Sequence, residues 1–205
     1  MGRHRVLGRP APPVLTKTDE DNVSGGSFTN QAIGAAAADR LVICIASVAQ
    51  TAARFVTAAT IGGVAATLYM PTTTRLRPVC IFWARVPTGT TADVVITWND
   101  SVGTCNLITY RMTGQTSDTP VAQNFGTNTT SLSLSDVEEG AAIVIGATQA
   151  TTGSVAFDPP VVSAGAYNPG GGFHLLSYGQ VNDSAEGTVN LTFTTASMVA
   201  AVAWA

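Results

Sequence analysis

Three runs in this sequence, LVICIASVA (41–49), RPVCIFWARV (77–86) and AAIVIGA (141–147), carry apolar residues on both alternating sets of positions. Successive side chains of a β-strand point to opposite faces, so a strand with water on one side reads apolar, polar, apolar. These runs do not. Each must be covered on both faces, at the centre of a sandwich or by a partner. The longest apolar stretch, Leu41 to Ala49, is far shorter than the ~20 residues a helical membrane span requires, so no membrane partner is expected.

From Val23 onwards the chain breaks into short β-rich runs separated by Gly, Pro, Asn and Asp, at the spacing of sandwiches and barrels. The pattern predicts strands near 24–29, 40–49, 54–60, 64–70, 77–86, 92–99, 105–113, 131–136, 141–149, 174–181, 188–195 and 198–204. The alanines of Ala32 to Asp39 favour helix, but Gly34 and the short length make the segment a turn. Gly62-Gly63 lies between a β-branched run and VAATLYM, which fits a two-residue hairpin with positive φ. Pro87 to Thr91, Asn99 to Gly103 and Asp136 to Gly140 are further reversals, and loops this short predict antiparallel neighbours. TVNLTFTT (188–195) alternates, with Val189, Leu191 and Phe193 on one side, and predicts a half-buried strand. The terminal MVAAVAWA reads as a core strand. A chain of 205 residues can bury a core without disulfide staples. The expectation is an all-β fold, a single antiparallel β-sandwich of jelly-roll or Ig-like type over 23–205, preceded by an extended arm over 1–22.

The arm has no sustained period, and Pro10, Pro12 and Pro13 favour polyproline-II geometry. Fully extended at about 3.3 Å per residue it reaches on the order of 65 Å, enough to cross a neighbouring subunit. Arg3, Arg5 and Arg9 make it basic, while the chain as a whole carries a net charge of −3. That balance argues against general nucleic-acid binding, which needs a basic footprint. Arg3, Arg5, Arg9, Pro10, Pro12 and Pro13 are therefore the candidate docking residues. The segment Pro10 to Asp21 stands where a signal peptide would have its apolar region, so no secretion signal is expected. Only 11% of residues are charged, against ~25% in ordinary soluble domains, and Thr, Ser, Asn and small residues take their place. Broad neutral faces of this kind suit subunit contacts, so copies of the chain itself are expected partners.

Catalytic chemistry finds little to work with. The two histidines are His4, on the arm, and His174, and there is no GxSxG. Cys44, Cys80 and Cys105 form no CxxC pair and read as free buried thiols. Asp19, Asp21 and Gly25 echo a calcium loop, but Asn30 stands where its bidentate glutamate belongs. No metal site or cofactor is expected, and Gly170 to Gly172 lack the Lys-Ser/Thr of a phosphate loop. The remaining candidates are surfaces. Trp83 with Arg85, Trp98, and Tyr110 with Arg111 are either aromatic platforms or core. The long irregular loop 158–173 and the strand after it offer a second group, Tyr167, Asn168, Phe173, His174 and Tyr178, suited to stacking on a sugar or anchoring an interface.

The phrases AADRLVICIASVA, TIGGVAAT, FWARVPTGTTADVVITW and YRMTG, within roughly 35–150, resemble a β-sandwich family of tailed bacteriophages, prophages and gene-transfer particles. That resemblance implies a virion accessory protein: a head decoration protein, a head fibre or a tail component. It would be non-enzymatic, assembled in the host cytoplasm into the virion, with capsid or tail proteins as partners. The alternative is a receptor- or glycan-binding module recognising a host surface sugar through the Tyr167 to Tyr178 group. The family supplies no catalytic residues.

Overall fold

The computed structural model of the chain describes residues 11–48, 52–70, 77–149, 155–158, 162–163, 174–181 and 187–205. Among them there is no helix, and every paired strand is antiparallel. The strands form three sheets.

The central sheet has five strands. β1 (Val14–Ser24), β3 (Leu41–Val48), β6 (Thr67–Tyr69), β7 (Val79–Arg85) and β9 (Thr104–Thr113) lie in the order β1-β9-β3-β7-β6. A second sheet takes β2 (Ser27–Ala32), β4 (Val56–Ile61), β5 (Val64–Ala65) and β8 (Thr91–Trp98) in the order β2-β8-β4-β5. The third holds β10 (Ala122–Val137), β11 (Ala142–Gln149), β12 (Val155–Asp158), β13 (Val162–Ser163), β14 (His174–Val181) and β15 (Gly187–Trp204). Its path is β10-β15-β11-β14-β13, with β12 also paired to β15.

The three non-alternating runs are explained by this layering. On β3, Val42, Cys44, Ala46 and Val48 share a core with Phe28, Val94, Ile96 and Trp98 of the four-stranded sheet. Leu41, Ile43 and Ile45 of the same strand face the other way, into a core with Ala142, Val144, Ala200, Val202 and Trp204 of the six-stranded sheet. Every residue of β3 is buried. At about 1.5–3 kcal/mol for each large apolar side chain taken out of water, this double coverage is the main source of cohesion. The layers approach closely at Gly146, where an added Cβ would lie 2.6 Å from Ile45 Cγ2 and 2.7 Å from Val79 Cγ2. Only glycine fits between them.

The six-stranded sheet also curls over its far side. β10 and β15 stay paired along almost their whole lengths, but the register shifts between Gly126 and Thr129 and again between Thr129 and Ser131. Beyond these bulges, Leu132, Leu134, Val189, Leu191 and Phe193 close onto Ile143, Ile145, Val199 and Ala201, making a third core.

Several expectations need correction, among them the strand over 64–70, which divides into β5 and β6 of different sheets. The fold is all-β and antiparallel, but it stacks three sheets where a single two-layer sandwich was expected. The segments 188–195 and 198–204 belong to one eighteen-residue strand. And none of the three short reversals joins sheet neighbours: Pro87 to Thr91 and Asn99 to Gly103 cross between the four- and five-stranded sheets, and Asp136 to Gly140 joins β10 to β11, which lie on either side of β15. The Gly62-Gly63 hairpin is as expected, with φ of 59° and 78° and Ile61 opposite Val64.

Candidate functional site

Each residue proposed from the sequence has a definite place or lies outside the described residues. Arg3, Arg5, Arg9 and Pro10 lie outside them. Pro12 is exposed and Pro13 buried, and from Val14 onwards the supposed arm is part of the fold. Val14 pairs with Thr113 and the ladder runs to Ser24 opposite Thr104. The boundary drawn after residue 22 therefore belongs before Val14. The physical reason is that an edge strand needs backbone pairing on one side only, which a polar, proline-led sequence can supply. Tyr167, Asn168 and Phe173 lie outside the described residues. The backbones of His174 and Tyr178 sit on β14, opposite Gln149 and Ile145 of β11.

The aromatic platforms are core. Trp83, Trp98 and Tyr110 are buried, and Trp83 meets Trp204 edge-on with ring centroids 5.2 Å apart. Cys44, Cys80 and Cys105 are free and buried in one core. Burial pushes the Cys44 and Cys105 thiols up to about 12 and the Cys80 thiol up as well, so none is a thiolate nucleophile near neutral pH. Among the described residues no group of three His, Cys, Asp or Glu side chains could hold a metal ion. Asp19 and Asp21, the calcium-loop echo, are engaged with β2. Asp19 Oδ2 accepts from Ala32 N at 2.6 Å and Asp21 Oδ2 from Gln31 Nε2 at 3.1 Å.

Sequence reasoning missed Arg40. Its guanidinium is fully buried and donates to four carbonyls: Val86 at 2.6 Å, Thr88 at 2.6 Å, Gly89 at 2.9 Å and Gly34 at 2.7 Å. It ties the 33–40 loop to the crossing 86–90 and explains how that short loop passes between sheets. Burial, with Arg111 nearby, lowers its pKa from the ordinary arginine value. Nothing in DRL (39–41) announces this role. At the same end of the molecule Arg85 forms a bidentate pair with Asp118, Asp39 Oδ2 accepts from Gly114 N at 2.7 Å, and the Ala205 carbonyl accepts from Thr116 N at 2.8 Å.

Two open clefts lie among the described residues. A cleft of about 330 Å³ is lined by Val121 to Asn124, Ser133, Ser135 and Asp136, and one of about 230 Å³ lies beside Trp83, Arg85 and Asp118. Neither gathers two carboxylates, the minimum for glycoside hydrolysis.

What distinguishes this surface is its edges. β5, β6 and β13 are two or three residues long, too short to template another chain. β1 is eleven residues long and carries Lys17, Asp19, Glu20 and Asp21. β10, at the end of the six-stranded sheet, is sixteen residues long, holds Asp136 as its one charge, and contains neither lysine, arginine nor proline. Only its 131–136 portion was expected to be a strand.

Compared with protein-family models, curated proteins and solved structures, the chain matches none.

Proposed function

We propose that this chain is a non-enzymatic structural protein of a virus particle, an oligomeric decoration or head-fibre protein held to the capsid by its N-terminal segment. The observation that carries this reading is where that segment joins the fold. Pro12 is exposed, Val14 is 57% exposed, and both stand at the end of an edge strand at the surface. Attachment at an exposed strand end supports a docking role for the basic, proline-containing segment before it, because a contact made from there leaves the core undisturbed. In this reading the five- and four-stranded sheets are the sandwich proper, of jelly-roll or Ig-like kind, and the six-stranded sheet is a layer added to it. Arg3, Arg5 and Arg9 meet an acidic capsid surface, and weak contacts repeated by symmetry supply the affinity. The sparse charge on the described strands leaves neutral surface for packing between copies.

The experiment is truncation before Pro12, which spares β1. The shortened chain should fold with an unchanged thermal midpoint and no longer co-sediment with purified particles. Retained co-sedimentation overturns the docking role. Image reconstruction of intact particles tests the wider reading, and absence of the chain from the particle defeats it.

A further inference from the structure

We infer that the first half of β10 is a self-complementary contact through which two copies of this chain join their six-stranded sheets edge to edge. The inference deepens the assembly reading by naming the contact between copies, and rests on it to that extent.

Four observations converge on Val121 to Phe125. First, among the described residues the strand lies at the sheet edge and pairs with β15 on one side. Second, it lacks what natural edges use to repel other strands: there is no charge from Val121 to Ser135, and no proline from Val121 to Val137. The bulges that do guard the edge begin only after Gly126. Third, Val121 and Phe125 are 44% and 43% exposed, two of the five large apolar side chains most exposed among the described residues. Fourth, Val121 to Asn124 border a cleft of about 330 Å³ whose other wall is Ser133, Ser135 and Asp136 of the strand's second half.

The spacing identifies the occupant. Side chains of Gln123 and Phe125 share one face by strand alternation, opposite to Ala122, which packs on the third core, and Val121 is the exposed residue just before the strand. A twofold axis through Gln123 sets an antiparallel copy so that each Val121 lies opposite the other copy's Phe125. Both exposed apolar side chains are then covered by one symmetric operation. Aromatic and β-branched residues are favourable cross-strand partners, and no like charges meet. An unrelated strand would need to supply a matching pair. A second copy already has it.

An edge of five residues buries less than the roughly 1,200 Å² of a stable dimer, so the contact is weak for the isolated chain and strengthened where copies are held together. Trapping is therefore the test, on the full chain. In Q123C the new thiols face each other across the axis, at the Cα separation of about 4.5–5.5 Å of antiparallel partners, which disulfide geometry accepts. The three native thiols are buried and stay out of the reaction. Under mild oxidation Q123C should form covalent dimers at least about tenfold faster than T97C, an exposed position on β8. V121C and F125C should cross-link when mixed and not when oxidised separately, and adding F125K to Q123C should slow its dimerisation to the T97C rate. Equal rates for Q123C and T97C, or cross-linking of V121C with itself, overturn the inference. Because these readouts use purified chain, they can fail while truncation before Pro12 still abolishes particle binding, and the reverse outcome is equally distinguishable.

Discussion

β1 and β10 both close a sheet at one end, and they solve the problem of an unpaired edge in opposite ways. β1 carries four charged residues among eleven, and its carboxylates bond outward: Asp19 and Asp21 accept from β2, tying the five-stranded sheet to the four-stranded one. β10 carries one charge among sixteen, and two of its polar side chains bond within the strand. The Asn124 amide donates to Ser133 O at 2.7 Å across the bend, and Thr129 Oγ1 donates to Ser131 O at 2.7 Å. Charge on an edge repels other strands, whereas bulges merely interrupt pairing. One edge is thus closed by its chemistry, and the other is open wherever its bulges do not reach.

The largest test of this contrast removes β1. Deletion through Ser24 strips a ten-pair ladder from β9, whose Leu107, Ile108 and Tyr110 are fully buried. Net hydrogen-bond contributions of about 1 kcal/mol each place the loss on the order of 5–10 kcal/mol, comparable to the whole stability of a domain. The product should be insoluble or molten by circular dichroism, whereas deletion of residues 1–11 should leave the urea midpoint unchanged. A folded chain without β1 would show that this edge is an accessory.

Single side chains give the next scale. Asp19→Ala leaves Ala32 N without its acceptor and should cost about 1–2 kcal/mol in urea denaturation, while Asn124→Ala on the neutral edge should cost about 0.5–1.5 kcal/mol. Equal or reversed costs would mean that local amide bonds hold an edge as firmly as carboxylates do. Smaller still is the stability effect of exchanging edge character. Phe125→Lys should stay within about 0.5 kcal/mol of the parent while lowering self-association in sedimentation equilibrium. Replacing Lys17 and Glu20 by threonine should do the converse, making β1 prone to concentration-dependent association with little change in midpoint.

Much of the fold could be read from the sequence where packing imposes a period. Doubly covered β3 and β7 stood out because both alternating sets were apolar, TVNLTFTT because one set was, and Gly62-Gly63 because two positive φ angles in succession favour glycine. β1 was missed because an edge strand is held by its backbone, and TKTDEDN carries no burial pattern. The first half of β10 was missed for the same reason: AQNFGTNTT does not alternate. Loop length at 86–90 could not reveal a change of sheet, because that depends on Arg40 finding four carbonyls that only the folded chain assembles. Of the candidate site, Pro12 was named from proline content, but its place just before an edge strand was not legible, because the boundary was read after residue 22. The platforms at Trp83, Trp98 and Tyr110 were not, because an aromatic residue in a strand looks the same whether one or both faces are covered.

The smallest effect expected separates the two edges by acid. Asp39 holds the Gly114 amide, one residue past Thr113, the partner of Val14 where β1 begins. That bond first, then Arg85 and Arg111, lowers its pKa below the ordinary 3.8, with burial opposing. A depressed carboxyl contributes stability that is fully present above the unfolded value and is lost as pH falls through the folded one. The contribution should therefore stand above pH 4 and fade below it. Between pH 5 and pH 3 the urea midpoint of the parent should fall more steeply than that of Asp39→Asn, which lacks the titrating group, and the two curves should converge at the acid end. Amide exchange corrected for intrinsic rates should show the loss at Val14 to Lys17 and not at Ala122 to Gly126. That segment contains no carboxylate, so its pairing has nothing of its own to titrate. Parallel curves for parent and variant would mean that the beginning of β1 is held by its ladder to β9 alone, and that charge on this edge serves only to turn other strands away.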